Sequence, residues 1–191
     1  MQQLRCTPML GVSPLQHFPI DLTAGKQLIG QVDLIAPTPT IEIEDVEMPP
    51  KFACYPLVDQ IADKLCAMYE FHGEAGDPST RYRDLADLLL IIRTSDFDAG
   101  LFGLALDHQR RHRMSLELPV AIGVPGPAWN ASYPASARLV KGLPEELHQL
   151  AVALECLAVC MDPILAGRVT VGKWDHTAQR WSRSTDPFGG L

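Results

Sequence analysis

Apolar and polar positions follow one period before Pro56 and another after it. Phe18-Pro19-Ile20-Asp21-Leu22-Thr23 has strand character, and the turn residues Ala24-Gly25-Lys26 predict that it pairs with Ile29 to Ile35. Thr40-Ile41-Glu42-Ile43-Glu44-Asp45-Val46 alternates apolar with polar residues, the period of a half-exposed strand. Phe52-Ala53-Cys54-Tyr55 predicts another short strand. Residues 1–17, with Pro8, Gly11 and Pro14, show no clean period and predict an extended or loop entry.

From Leu57 the spacing becomes helical. Leu57, Ile61, Leu65 and Met68 recur on one face, and Pro56 stands where a first helical turn tolerates proline. A glycine-containing loop from Phe71 to Pro78 leads to a second helix, capped by Ser79 or Thr80. Tyr82, Leu85, Leu88, Leu89 and Ile92 form its apolar face. Asp96 or Asp98 caps a third helix running to about Arg111. Residues 114–142, rich in proline and aromatics, predict a wrapping connection. A last helix spans about Glu145 to Cys160, opened by Pro144 and closed by Asp162-Pro163. Val169 to Trp174 against Gln179-Arg180-Trp181 predicts a terminal hairpin. Strands first and helices after make an α+β arrangement, with a β segment at 1–55, a helical subdomain at 56–165 and a hairpin and tail at 166–191.

The 191 residues carry a formal charge of −7, which argues against nonspecific coating of nucleic acid. A local basic site at Arg81, Arg83 and Arg110-Arg111-His112-Arg113 is still compatible with that balance, because screening is short-ranged. Five cysteines, an odd number set mostly among apolar neighbours, predict buried thiols in a reducing cytoplasm and not a disulfide framework. The N-terminus lacks the basic and apolar run of a signal peptide, and no apolar stretch reaches membrane-spanning length.

Lys64 lies seven residues after Leu57, which returns it to nearly the same helical face beside Ile61 and Met68. A lysine beside a core stripe either snorkels along it or holds an anion or carboxylate. Asp84 and Asp87, spaced i, i+3, flank the apolar face of the second helix. They could hold a metal, orient Lys64, or simply be solvated. Asp84 also sits in the first turn, where the helix dipole favours negative charge.

The string Tyr55-Pro56-Leu57-Val58-Asp59-Gln60-Ile61-Ala62-Asp63-Lys64-Leu65-Cys66-Ala67, followed by Ser79-Thr80-Arg81-Tyr82-Arg83-Asp84-Leu85-Ala86-Asp87-Leu88, resembles the AbiEii/AbiGii-type nucleotidyltransferase toxins of type IV toxin–antitoxin systems. Those proteins pair an "Ile-Ala-x-Lys-Leu-x-Ala" helix with an "Arg-Tyr-Lys/Arg-Asp-Leu-x-Asp-Leu" helix. The match is close over residues 53–95 and looser through Trp129 to Tyr133 and the last helix. The resemblance implies that Lys64 contacts nucleotide phosphates, where a compact ammonium suits a polyphosphate. It places the family's acidic position on Asp84, with Asp87 as partner, to position Lys64 or to act as base on an acceptor hydroxyl. Arg81 and Arg83 would face phosphate or RNA. The implied reaction moves a nucleotidyl group from a nucleoside triphosphate to an acceptor such as tRNA, assisted by magnesium (Mg2+). The implied partner is a cognate antitoxin, and residues 1–55 would be a remnant of the nucleotidyltransferase core.

Nucleotidyltransferases of this superfamily carry a Gly-Gly/Ser turn leading to Asp-x-Asp, whose carboxylates hold the metal ions. No such motif precedes Lys64. Gly11-Val12-Ser13 is not followed by Asp-x-Asp, and Glu42-Ile43-Glu44 has the spacing without the turn. Only Asp21 resembles the family's third, metal-binding carboxylate, and it reads equally as an ordinary strand-end residue. The expectation is therefore a truncated or degenerate member, with Glu42, Glu44 and Asp45 as alternatives for the missing carboxylates. The contrasting expectation is a non-catalytic module that holds a nucleotide, an RNA or the antitoxin in the same pocket. His108 and His112 could share a zinc ion at i, i+4, but Gln109 stands where the protease motif has glutamate, and a solvated basic helix end is the plainer reading. Cys156 and Cys160 read as core thiols. Trp129, Trp174 and Trp181 read as packing residues.

Overall fold

The computed structural model describes residues 2–25, 27–38, 41, 47–113 and 116–182. The chain opens with short strands β1 (Gln2–Cys6), β2 (Met9–Leu10), β3 (Ser13–Pro14), β4 (Phe18–Leu22), β5 (Asp33–Ile35) and β6 (Phe52–Cys54). They pair as antiparallel ribbons, β1 with β4, β2 with β3, and β5 with β6. The entry expected to be extended or a loop is extended, an outer hairpin with a smaller one nested at its tip. Strand β4 does not pair with Ile29 to Ile35 as its turn residues suggest. It pairs with β1, Leu4 opposite Ile20 and Cys6 opposite Phe18, while Leu34 of β5 faces Ala53 of β6. The physical reason lies at Ile29 and Gly30, whose N–H groups are taken by the Asp59 carboxylate and are unavailable to a ladder. The alternating segment around Glu42, Glu44 and Asp45 lies outside the described residues, apart from Ile41.

After β6 come α1 (Leu57–Tyr69), a small hairpin of β7 (Phe71–His72) and β8 (Asp77–Pro78), α2 (Tyr82–Thr94), β9 (Phe97–Asp98) and α3 (Ala99–His112). Then follow α4 (Trp129–Ala137), a 3-10 turn at Glu145–His148, α5 (Leu150–Leu165), and the strands β10 (Lys173–Asp175) and β11 (Arg180–Ser182). The mixed α+β class read from the sequence is the one observed. Helix α1 rests on α2 and α3, and α2 rests in turn on α4 and α5, so α2 runs through the middle of the core. Its expected face is the buried one: Leu85, Leu88, Leu89 and Ile92 are fully enclosed.

Several boundaries differ from expectation. Arg81 occupies the N-cap of α2, and Ser79 acts two residues upstream, its hydroxyl accepting from the Arg81 N–H at 3.2 Å. Asp98 caps α3 by accepting from the Leu101 N–H at 2.8 Å, as one of the two anticipated aspartates. The proline-rich connection contains α4, fixed because Trp129 donates its indole N–H to the Ser79 carbonyl and Tyr133 its hydroxyl hydrogen to the Leu147 carbonyl. Helix α5 runs through Pro163 to Leu165. Proline there removes only one late bond, and Asp162 is engaged otherwise, accepting from the Ile122 N–H at 2.7 Å. The stop comes at Gly167, whose φ of +67° lets its N–H turn back to the Ile164 carbonyl. A terminal hairpin forms, but its strands are Lys173–Asp175 and Arg180–Ser182, shorter and later than Val169 to Trp174 suggested, and β9 joins it as a third strand through Phe97 opposite Trp174. No helix among the described residues is long and apolar enough to cross a membrane.

Candidate functional site

The site begins with a buried carboxylate on the apolar side of α1. Asp59 is 1% exposed and follows Leu57 and Val58 in the first turn, where the helix dipole favours its charge. It accepts from the backbone N–H groups of Ile29 at 3.0 Å and Gly30 at 2.7 Å, which fastens the segment after β4 to the helix. Gly30 must lack a side chain, since a Cβ there would lie 2.7 Å from the Pro56 Cβ and 2.8 Å from the Val58 Cγ2. Sequence reasoning missed this anchor. Its signal was an aspartate sharing a helical stripe with Ala62 and Cys66, both fully buried.

Beside that anchor lies a cleft of 570 Å³ lined by Thr23, Leu28, Tyr55, Asp63, Lys64 and Arg81, among others. At its mouth the Lys64 Nζ donates to Asp84 Oδ1 at 3.0 Å and to Asp87 Oδ2 at 2.6 Å. Two paired helices therefore bring together three residues that sequence reasoning singled out separately. Asp84 is almost fully enclosed, and its other oxygen accepts from Arg81 Nε at 2.7 Å. Arg83 stands 3.9 Å from Asp87 Oδ1 and is largely exposed. Burial alone would push the Lys64 pKa down, but hydrogen bonds to Asp87 and Asp84 outweigh it and hold the amine above its ordinary value. The hydrogen bond to Asp84 likewise raises Arg81. Both groups are cations at neutral pH, and snorkelling is not how Lys64 is accommodated.

A second charged cluster supports the floor. Arg113, just past α3, donates to Asp63 at 2.7 Å, to Gln109 at 3.1 Å and to Glu70, which ties the end of α3 across α1. The basic run Arg110 to Arg113 is thus split: Arg110 and Arg111 are exposed, and Arg113 is half-buried as a brace. Tyr55 closes the cleft beside Asp63. Burial, then the charges of Asp63 and Asp59, push its phenol above the usual range, so it is a neutral hydroxyl.

Other sequence candidates fall elsewhere. Asp21 lies on the exposed β4 and accepts from Gln3 Nε2 at 2.8 Å; it is not brought to Lys64 by any described contact. Glu42, Glu44 and Asp45 lie outside the described residues. The carboxylates at Lys64 do not suit a divalent cation, because both oxygens of Asp84 and one of Asp87 already meet cationic nitrogens within 3.0 Å. Among the described residues no group of three or more His, Cys, Asp or Glu side chains could hold a metal ion. His112 Nδ1 meets the His108 carbonyl at 2.8 Å, an ordinary helix-end contact. Cys160 is enclosed, Cys156 half-buried, and the three tryptophans pack with their indole N–H groups satisfied.

Against known proteins, the family model described as "Nucleotidyl transferase AbiEii toxin, Type IV TA system" matches residues 2–155. No curated protein and no solved structure matches the chain.

Proposed function

The chain belongs to the AbiEii nucleotidyl transferase toxin family of type IV toxin–antitoxin systems, and on that premise we propose that Lys64 and Arg81 receive the phosphates of a nucleoside triphosphate in the cleft they line. At the family level the protein is nucleotidyltransferase-like, and a cognate antitoxin is its implied partner. The reaction we assign is attack of an acceptor hydroxyl on the α-phosphorus, with pyrophosphate leaving and tRNA as the acceptor. The observation that carries the reading is the Lys64 ammonium, held at a cleft mouth by two carboxylates at 3.0 and 2.6 Å. An ammonium has three N–H donors, and these two bonds leave the third for a phosphate oxygen. Arg81 adds a guanidinium that is 57% exposed on its side chain, with one nitrogen committed to Asp84.

Asp84 and Asp87 act in this reading as positioning residues for Lys64. Their oxygens are engaged by cations, which leaves them poor bases toward a hydroxyl. Arg83, exposed at the outer edge, is assigned to the RNA backbone. Magnesium belongs to the family's general chemistry, but the described residues do not form a site for it.

The second reading is a non-catalytic module that binds nucleotide, RNA or antitoxin in this cleft. The cation-engaged carboxylates favour it. Equilibrium binding of labelled nucleoside triphosphate, followed by transfer of label to tRNA by the purified chain, separates the two. We expect Lys64→Ala to weaken binding roughly ten- to hundredfold, the value of a hydrogen bond to a charged group. Label on tRNA supports transfer, and Lys64-dependent binding without label supports the binding module. Binding indifferent to Lys64 and Arg81 would discard both.

A further inference from the structure

The cleft at Lys64 has a neighbour across Tyr55. Tyr55 and Gly25 line it on one side and also line a second depression of 260 Å³, whose remaining walls are Gln27, His108, Gln109 and His112. The two compartments differ in chemistry. One holds the ammonium and guanidinium of Lys64 and Arg81. The other offers a phenol ring, two imidazoles 4.3 Å apart between centroids, and an amide. The His112 Nδ1 faces the His108 carbonyl at 2.8 Å, and a carbonyl only accepts. Nδ1 therefore donates, and Nε2 is the ring's other polar edge. Arg113 Nε donates to Gln109 Oε1 at 3.1 Å, which fixes which way that amide points. Arg113 itself is held by Asp63 at 2.7 Å, and Asp63 lines the first compartment. One charged brace therefore sets the geometry of both.

We propose that this second depression is the nucleobase subsite of the cleft, resting on the reading that Lys64 and Arg81 take the phosphates. A nucleoside triphosphate is long and two-ended: anionic at one end, flat and hydrogen-bonding at the other. The adjoining compartments present cations at one end and, at the other, imidazole and phenol rings beside an oriented amide. Tyr55 stands at the shared wall, where a base can stack on its ring while its edge meets His108, Gln109 and His112. These side chains, and not the Lys64 cluster, then set which base is preferred.

The test measures binding of each nucleoside triphosphate and of inorganic tripolyphosphate to the full chain by titration calorimetry. The variants are the double substitution His108→Ala with His112→Ala, Tyr55→Ala and Tyr55→Phe. Both histidines lie on the last turns of α3, where alanine preserves the helix, and melting curves check folding. We expect the histidine pair and Tyr55→Ala each to weaken the preferred nucleotide about tenfold, within the range for one base on an aromatic ring. In the histidine pair tripolyphosphate binding is unchanged, and Tyr55→Phe retains nucleotide affinity. Parallel loss on both ligands in that pair, or no loss on the nucleotide, overturns the subsite. Lys64→Ala reports separately: if it leaves both ligands unaffected, the phosphate reading fails, and the histidine variants still decide where the base lies.

Discussion

Asp84 and Asp87 stand three residues apart on α2, and that spacing lets both reach a single ammonium on the neighbouring helix. The spacing was visible in the chain and left pairing with Lys64 as one of three readings; the choice among them depends on how α1 packs on α2. Asp63 and Glu70 illustrate the same limit, since neither is remarkable in sequence until Arg113, 50 and 43 positions later, arrives between them. The cysteines yield a direct check at this scale. Burial pushes the Cys66 thiol up to about 12 and raises Cys160 and Cys156 as well. A thiol raised above its unfolded value of about 8.5 contributes stability that is complete below that pH and declines as pH climbs toward the folded value. At pH 8 an alkylating reagent should label Cys6 and Cys54 readily, Cys156 slowly, and Cys66 and Cys160 only with denaturant, as read by intact mass and peptide mapping. Rapid native labelling of Cys66 would contradict the packing of α1.

At the scale of elements, the helices were legible and the strand partners were not. Helical stripes are local: Ile61, Leu65 and Met68 need only their own spacing to declare a buried face, and all three are fully buried. Strand pairing is non-local, and the turn after β4 is diverted by Asp59. The stop of α5 was misread because Pro163 is a weaker terminator near a helix end than the left-handed Gly167. The join between the ribbons and the helices is open to test. Gly30→Ala places a Cβ against Pro56 and Val58, an overpacking expected to cost about 1–3 kcal/mol in urea denaturation. Asp59→Ala strands the N–H groups of Ile29 and Gly30 with a comparable loss of about 1–3 kcal/mol. Either change should also weaken nucleotide binding, since Leu28 and Thr23 line the cleft beside the anchor.

Over the whole molecule, the far end of the chain is fastened by charge. Asp96 accepts from the His176 N–H at 3.0 Å, contacts the His176 ring at 2.6 Å and pairs with Lys173 at 3.1 Å, joining the α2–α3 connection to the terminal hairpin. The backbone bond from His176, then its ring and Lys173, hold the Asp96 carboxyl well below the usual range. A depressed carboxylate contributes stability above its unfolded pKa of about 3.9, and that stability is lost as pH falls through the lowered value. Urea midpoints of wild type and Asp96→Asn should therefore differ at pH 7 and converge as pH falls below about 3.9. A gap that persists in strong acid would mean the contact acts through shape alone. Both the α+β class and the terminal hairpin were readable in the chain, but the third strand at Phe97-Asp98 was too short to announce itself.

The three indoles give the molecule a property of a different kind. Trp129, Trp174 and Trp181 each donate to a main-chain carbonyl, at Ser79, Ile92 and Cys160 respectively, so each is locked at a joint between elements. None of the three lines the Lys64 cleft or the neighbouring depression at His108 and His112. Their intrinsic emission therefore senses whether those joints are closed and is spatially separate from the cleft, which makes the protein its own folding gauge during ligand titrations.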